Sequence, residues 1–305
     1  MSRRLVIGTR GSPLALWQAE WAKATMQRPL SGVEVDLKII RTSGDRDQTT
    51  PLGQLGGRGV FTKELSRALL AGEIDLAVHS LKDLPTDLPE GLALGAVSPR
   101  EDPRDALIAR AATSFEALPQ GARIGTGSLR RRALLLHGRP DLRMEDLRGN
   151  LDTRLRKLET EGLDAIVLAV AGLSRMGWAG RITERLPFSV CLPDAGQGAI
   201  GIEVRADDAE ALQAVSVLND GDTHCSVTAE RALLKALGGG CQVPIGAWGR
   251  VEDGFLKLDA VVASVDGKRV IRDCSEGTRE APEEIGKGLA ERLLKAGARE
   301  ILRGG

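Results

Sequence analysis

The chain has 305 residues, 42% of them hydrophobic and 28% charged, with 42 basic residues balanced by 42 acidic ones. That length is too great for one ordinary core and calls for two or three domains. Zero net charge argues against a general nucleic-acid binder, and no apolar run is long enough to span a bilayer.

In chain order, a basic start passes at once into Gly, Thr and Arg with no signal-peptide core, so a cytoplasmic protein is expected. A strand is predicted over 4–8, then a helix through "LALWQAEWAKATM" with Ser12 as its N-cap and Pro13 in its first turn. Alternation over 33–40 reads as a strand. The polar, glycine-rich stretch 42–59 reads as a mobile loop. A helix over "FTKELSRALLAG" and a strand over 74–80 follow. This strand–helix–strand grammar implies a largely parallel sheet.

The pattern then repeats. "IGTRGSPLALWQ" (7–18) is echoed by "IGTGSLRRRALLL" (124–136), and "FTKELSRALLAGEIDLAVHS" by "LDTRLRKLETEGLDAIVLAV" (151–170). Two similar α/β domains facing one another are the natural inference, with crossings at 98–106 and 193–204. From 222 the grammar changes to a helix, two or three strands joined by Asp-Gly turns at 253–254 and 266–267, and a last helix over about 282–296. That describes a small α+β domain. The expected division is 1–98 with 199–218, then 103–192, then 223–305.

Candidate chemistry concentrates at the ends of these elements. The turns at Thr9–Ser12 and Thr126–Ser128 open helices, where free N–H groups and the positive dipole end suit anions, and simple capping is the alternative. Arginines stand beside both: Arg10 at one, Arg130 to Arg132 at the other. Arg148 and Arg154 flank a further helix start. Arg outnumbers Lys about three to one, which high GC content also explains, so position must decide. Several carboxylates or phosphates on one ligand are the expected counterpart. "HSLKDLP" (79–85) places Lys82 and Asp83 at the end of a strand, where open α/β sheets bind ligands, and Asp83 can serve as general acid or base or stabilise a cation.

No P-loop is present, and His79, His137 and His224 do not form a metal set. The cysteines (Cys191, Cys225, Cys241, Cys274) contain no C-x-x-C pair. Cys241, in "GGGCQVPIG", stands on a bare glycine-rich backbone poorly suited to burying a small hydrophobe.

Taken together, "GTRGSPLALWQ", "HSLKDLP", "GTGSLRRR", "RGNLDTRLRKL", "DAIVLAVAGLSRMG", "LPDAGQGAIGIE" and "GGGCQVPIG" resemble, in order and along essentially the whole chain, the porphobilinogen deaminase (hydroxymethylbilane synthase) family of tetrapyrrole and haem biosynthesis. The resemblance implies two periplasmic-binding-protein-like α/β domains plus a C-terminal α+β domain, in a monomeric transferase that takes porphobilinogen and needs no nucleic acid, membrane or metal. It implies a dipyrromethane cofactor held by a thioether to Cys241. Four porphobilinogens would be added to this primer with loss of ammonia, and water would release the product. By matching position, Ser12, Lys82, Asp83, Thr126, Ser128, Arg130, Arg131 and Arg148 would bind the cofactor, and Arg10, Arg154, Arg175 and Arg58 the substrate. Asp83 would be catalytic, stabilising azafulvenium-like cations. The chain departs from the family at "GGRGVF", where Arg58 replaces a lysine; Phe61 after it is read as a lid side chain or a helix-packing residue. Two rivals are a non-enzymatic binder of a small polyanion, which does not require Cys241, and a cysteine hydrolase, which lacks a histidine partner motif.

Overall fold

The structure, a computed structural model, describes residues 4–28, 34–46, 59–238 and 243–303. The first sheet begins with β1 (Arg4–Thr9), helix α1 (Pro13–Gln27) and β2 (Glu34–Ile39), followed by the short α2 (Ser43–Arg46). Helix α3 (Lys63–Leu70), β3 (Leu76–Ser80) and β4 (Leu92–Val97) continue it. The second comprises β5 (Asp105–Ala109), β6 (Arg123–Gly125), α4 (Leu129–Gly138), β7 (Arg143–Glu145), α5 (Leu151–Thr160), β8 (Ala165–Ala169), α6 (Val170–Arg175) and β9 (Glu184–Arg185). The chain returns through β10 (Ile200–Arg205) and α7 (Ala209–Val215). The C-terminal region holds α8 (Gly221–Ala236), β11 (Ile245–Glu252), β12 (Phe255–Ala263), β13 (Val270–Thr278), α9 (Pro282–Leu293) and α10 (Arg299–Arg303).

The strand orders are β2-β1-β3-β10-β4 and β7-β6-β8-β5-β9, one plan used twice. The internal echo in the sequence falls on matching places in this plan: β1–α1 against β6–α4, and α3–β3 against α5–β8. One expectation needs correction. The sheets are mixed rather than largely parallel, because β10 runs antiparallel to β3 and β4, and β5 antiparallel to β8 and β9. The cause is the crossing itself. Each sheet's fourth strand arrives from the other sheet, so it is not preceded by the helix that a parallel connection requires.

Alternating apolar residues give each sheet its core. Leu5, Ile7, Val35, Leu76, Val78, Ile202 and Val204 are buried in the first. Leu107, Ile124, Val167 and Leu135 of α4 are buried in the second. The third sheet is an antiparallel meander under α8 and α9. Its first turn is the two-residue Asp253–Gly254 hairpin, both at positive φ (53° and 82°), as the twist of paired strands favours. The architecture is thus two α/β domains plus a small C-terminal α+β domain.

Both crossings meet the C-terminal domain at one buried carboxylate. Glu230 of α8 accepts Arg100 Nη1 at 2.5 Å, the Gly196 amide at 2.6 Å and the Gly249 amide at 2.6 Å. Arg100 lies in the first crossing, Gly196 in the second and Gly249 on β11. A buried charge so fully bonded ties the two crossings to α8 and β11 of the C-terminal domain.

Candidate active site

Four strand ends and helix starts supply the polar groups. After β1, Ser12 caps α1, its Oγ accepting the Ala15 amide at 3.3 Å. After β6, Thr126 is buried and its Oγ1 accepts the Ser128 amide at 3.3 Å, while Ser128 Oγ caps α4 by accepting the Arg131 amide at 3.4 Å. Gly127 between them has no room for a side chain, since a Cβ would lie 2.8 Å from the Leu147 carbonyl. Ser12 and Ser128 act as helix caps and Thr126 holds the turn before α4, which fixes where the turns stand.

The arginines divide into two groups. Arg130 and Arg131 are almost wholly buried and are engaged by the protein itself. Arg130 Nη1 donates to Asp105 Oδ2 at 2.7 Å and to the Leu192 carbonyl at 2.6 Å, although its Nε has no partner. Arg131 Nε donates to Asp105 Oδ1 at 2.9 Å and Nη1 to the Val167 carbonyl at 2.9 Å. Burial alone would raise the Asp105 pKa, but the two guanidiniums outweigh it and hold the carboxyl below the usual range. Arg10 is also engaged: it pairs with Asp45 at 2.5 Å and lies 4.1 Å from the centre of the Phe61 ring. Phe61 therefore packs under Arg10 and against Gly44, where a Cβ would collide with its ring.

The arginines of the second group form no ion pair with a carboxylate among the described residues. Arg148 precedes α5 and has a buried Nη1 with no hydrogen-bond partner. Arg154, in the first turn of α5, donates Nε to the Gly149 carbonyl at 2.7 Å. Burial first, then the like charges of Arg131 and Arg148, lower the Arg154 pKa to about 10. Arg175 donates to the Gly198 carbonyl at 2.6 Å and lies 5.8 Å from the centre of the Trp17 ring of α1; burial lowers its pKa to about 10.

Lys82 and Asp83 occupy a single 3-10 turn, Leu81–Asp83, directly after β3. Lys82 Nζ donates to Gln197 Oε1 at 3.1 Å. Burial and then Arg131 lower its pKa, with Asp83, Asp194 and Asp105 opposing. Asp83 is near enough to Lys82 and Arg154 to raise the pKa of both. Among the described residues its carboxylate has no hydrogen-bond or ion-pair partner, so both oxygens are available to a ligand. The structure thus brings Lys82, Asp83, Arg131, Arg148 and Arg154 within electrostatic reach of one another. Arg10 is paired with Asp45, and Arg58 and Cys241 lie outside the described residues, as does most of the 42–59 loop.

Sequence reasoning missed Gln197 and Asp105. Gln197 Nε2 donates to Asp105 Oδ1 at 2.9 Å and its Oε1 accepts Lys82, so it joins the two sheets behind the turn. The available signal was an acidic residue opening the apolar strand "DALIA", which demands a buried cationic partner. Cys191 is not a rival nucleophile, because burial and then Asp105 push its thiol up to about 12. Among the described residues no His/Cys/Asp/Glu cluster fits a metal ion, and no helix is long and apolar enough to cross a membrane.

Comparison with known proteins places this arrangement. A family profile described as "Porphobilinogen deaminase, dipyromethane cofactor binding domain" matches residues 5–213, and "Porphobilinogen deaminase, C-terminal domain" matches 224–295. The porphobilinogen deaminase of Desulforudis audaxviator is 54% identical over 302 residues, covering 99% of this chain and 98% of the relative. That of Pelotomaculum thermopropionicum is 52% identical over 303 residues, covering 99% and 97%. Among solved structures, the methionine binding protein MetQ aligns with a TM-score of 0.43 and 15% identity over 70% of this chain and 88% of that one. An arginine-specific periplasmic binding protein of Salmonella typhimurium aligns with a TM-score of 0.37 and 16% identity over 71% and 92%. With both profiles matched in order and more than half the residues shared with full-length relatives, the chain belongs to the porphobilinogen deaminase family.

Proposed function

We propose that the protein condenses four porphobilinogen molecules head to tail into linear hydroxymethylbilane, releasing four ammonia and consuming one water, in tetrapyrrole biosynthesis. The observation that carries this reading is the excess of buried cations over carboxylates around Asp83, with a buried Arg148 Nη1 that makes no hydrogen bond among the described residues. Arg148 with its orphaned Nη1 and Arg154, with Lys82 alongside, form a surface that an anionic ligand completes. Each pyrrole unit bears an acetate and a propionate, so both the substrate and a dipyrromethane fit this set of donors. When bound through Cys241, the dipyrromethane supplies a free pyrrole carbon as the nucleophile for the first addition.

The chain's own residues do the rest. Arg148, Arg154, Lys82 and Arg175 hold carboxylates, and Arg131 adds its charge from behind while bonded to Asp105. Arg10 and Arg58 serve the entering substrate, Arg10 by exchanging Asp45 for a substrate carboxylate. Ser12, Thr126 and Ser128 fix the helix starts on either side. Asp83 accepts pyrrole N–H hydrogen bonds and stabilises positive charge as ammonia leaves the substrate. Arg130 anchors α4 to Asp105 and keeps a buried Nε, without a partner among the described residues, for the cofactor. The division into 1–98 with 199–218, 103–192 and 223–305 gives every domain a sheet of its own. The cleft is built from one chain, and the enzyme works as a cytoplasmic monomer.

The test is stoichiometric. Purified protein given porphobilinogen is expected to release four ammonia per hydroxymethylbilane formed. Tight binding of porphobilinogen without ammonia release would favour a binding protein instead.

A further inference from the structure

The turn that carries Lys82 and Asp83 is held from outside its own sheet. Arg231, on α8 of the C-terminal domain, donates from Nη1 to the Leu84 carbonyl at 3.0 Å. Its Nη2 donates to the Pro85 carbonyl at 2.6 Å and reaches that of Thr86 at 3.4 Å. These are the three residues directly after Asp83, and they belong to no helix or strand, so no ladder satisfies their carbonyls. A planar guanidinium fork can address neighbouring carbonyls together; a lysine ammonium cannot reproduce that geometry.

The contact belongs to a longer register. Val227, Arg231 and Lys235 recur every four residues and so share one face of α8. Val227 is buried with Leu81 and Leu84, Arg231 takes the carbonyls of 84–86, and Lys235 pairs with Asp87 at 2.5 Å. Helix and segment therefore run alongside each other in step, from just before Asp83 to Asp87. The Lys235–Asp87 pair is exposed and contributes little, whereas charge-assisted bonds to carbonyls that have no other partner among the described residues contribute more.

We infer that Arg231 is a positioning residue for the reaction. It fixes the Lys82–Asp83 turn against the domain whose chain runs from α8 to Cys241, five residues beyond the helix end. The inference rests on the functional reading above. It assigns to Arg231 an effect mainly on the chemical step, because Asp83 stands next to the clamped segment while three of the four cations that hold carboxylates, Arg148, Arg154 and Arg175, lie on other elements.

The holoenzyme is measured as wild type, Arg231→Gln and Arg231→Lys, by steady-state kinetics and by hydrogen exchange of the 81–88 peptide. Arg231→Gln is expected to lower kcat by about tenfold or more, with KM within about twofold. Exchange of that peptide should rise while the rest of the first sheet stays protected, and Arg231→Lys should fall between the two. Unchanged kcat, or a loss of activity that follows only a lowered Tm with 81–88 exchange unaltered, overturns the inference. If Arg231→Gln does not fold, Arg231→Lys bears the same test of kcat against KM and exchange. A wild type that forms no product defeats the functional reading, while the exchange contrast still reports whether Arg231 clamps the turn.

Discussion

Asp83 is unusual for what it lacks. A carboxylate between Lys82 and Arg154 would ordinarily be paired, yet among the described residues it makes no hydrogen bond or ion pair. Its negative charge is thereby kept for the substrate. Asp83→Asn retains the shape and removes the charge, so turnover should fall by about two orders of magnitude or more while the protein still carries its cofactor. Near-normal turnover would remove Asp83 from the chemistry. Lys82 and Asp83 were legible in the sequence because an apolar strand ends immediately before them. Gln197 was not, because its partners Lys82 and Asp105 lie 115 and 92 residues away, and no local pattern encodes such contacts. Arg130 and Arg131 show the converse limit. Their place at a helix start was legible, but the direction of their guanidiniums depends on Asp105, which arrives on a strand from the first crossing.

At the scale of elements, α4 is held to its sheet by that carboxylate. Asp105 is fully buried between Arg130 and Arg131, so Asp105→Asn leaves two buried cations short of a counter-charge. Breaking a buried pair from one side costs about 3–5 kcal/mol, and Tm should drop accordingly. The pH dependence has a definite sign. The folded Asp105 pKa lies below its ordinary value, so its stabilisation is present above about pH 4 and is lost as pH falls below that toward the folded pKa. Wild type should therefore lose more stability than Asp105→Asn on acidification through this window; equal losses in both would show that Asp105 does not carry the effect. Helix starts and the antiparallel meander were readable from caps, Asp-Gly turns and alternation. The crossings at 98–106 and 193–204 were legible, but not that each leads into an antiparallel strand, β5 or β10, because strand direction is set by which sheet the chain has just left, and that information is not local.

At the scale of the whole molecule, the two crossings between the α/β domains are bonded to the C-terminal domain at Glu230, and α8 connects that joint to the chain segment bearing Cys241. The positively charged cleft is stable enough to form but electrostatically incomplete, which is the expected state of a site built for a polycarboxylate. The central claim is that Cys241 carries two pyrrole units as a permanent primer. The most direct measurement is the intact mass of the denatured protein as purified, beside Cys241→Ser. An excess equal to two porphobilinogen units less two ammonia, present in the first and absent from the second, is the predicted result. A protein at its bare sequence mass that gains nothing after incubation with porphobilinogen would contradict the account.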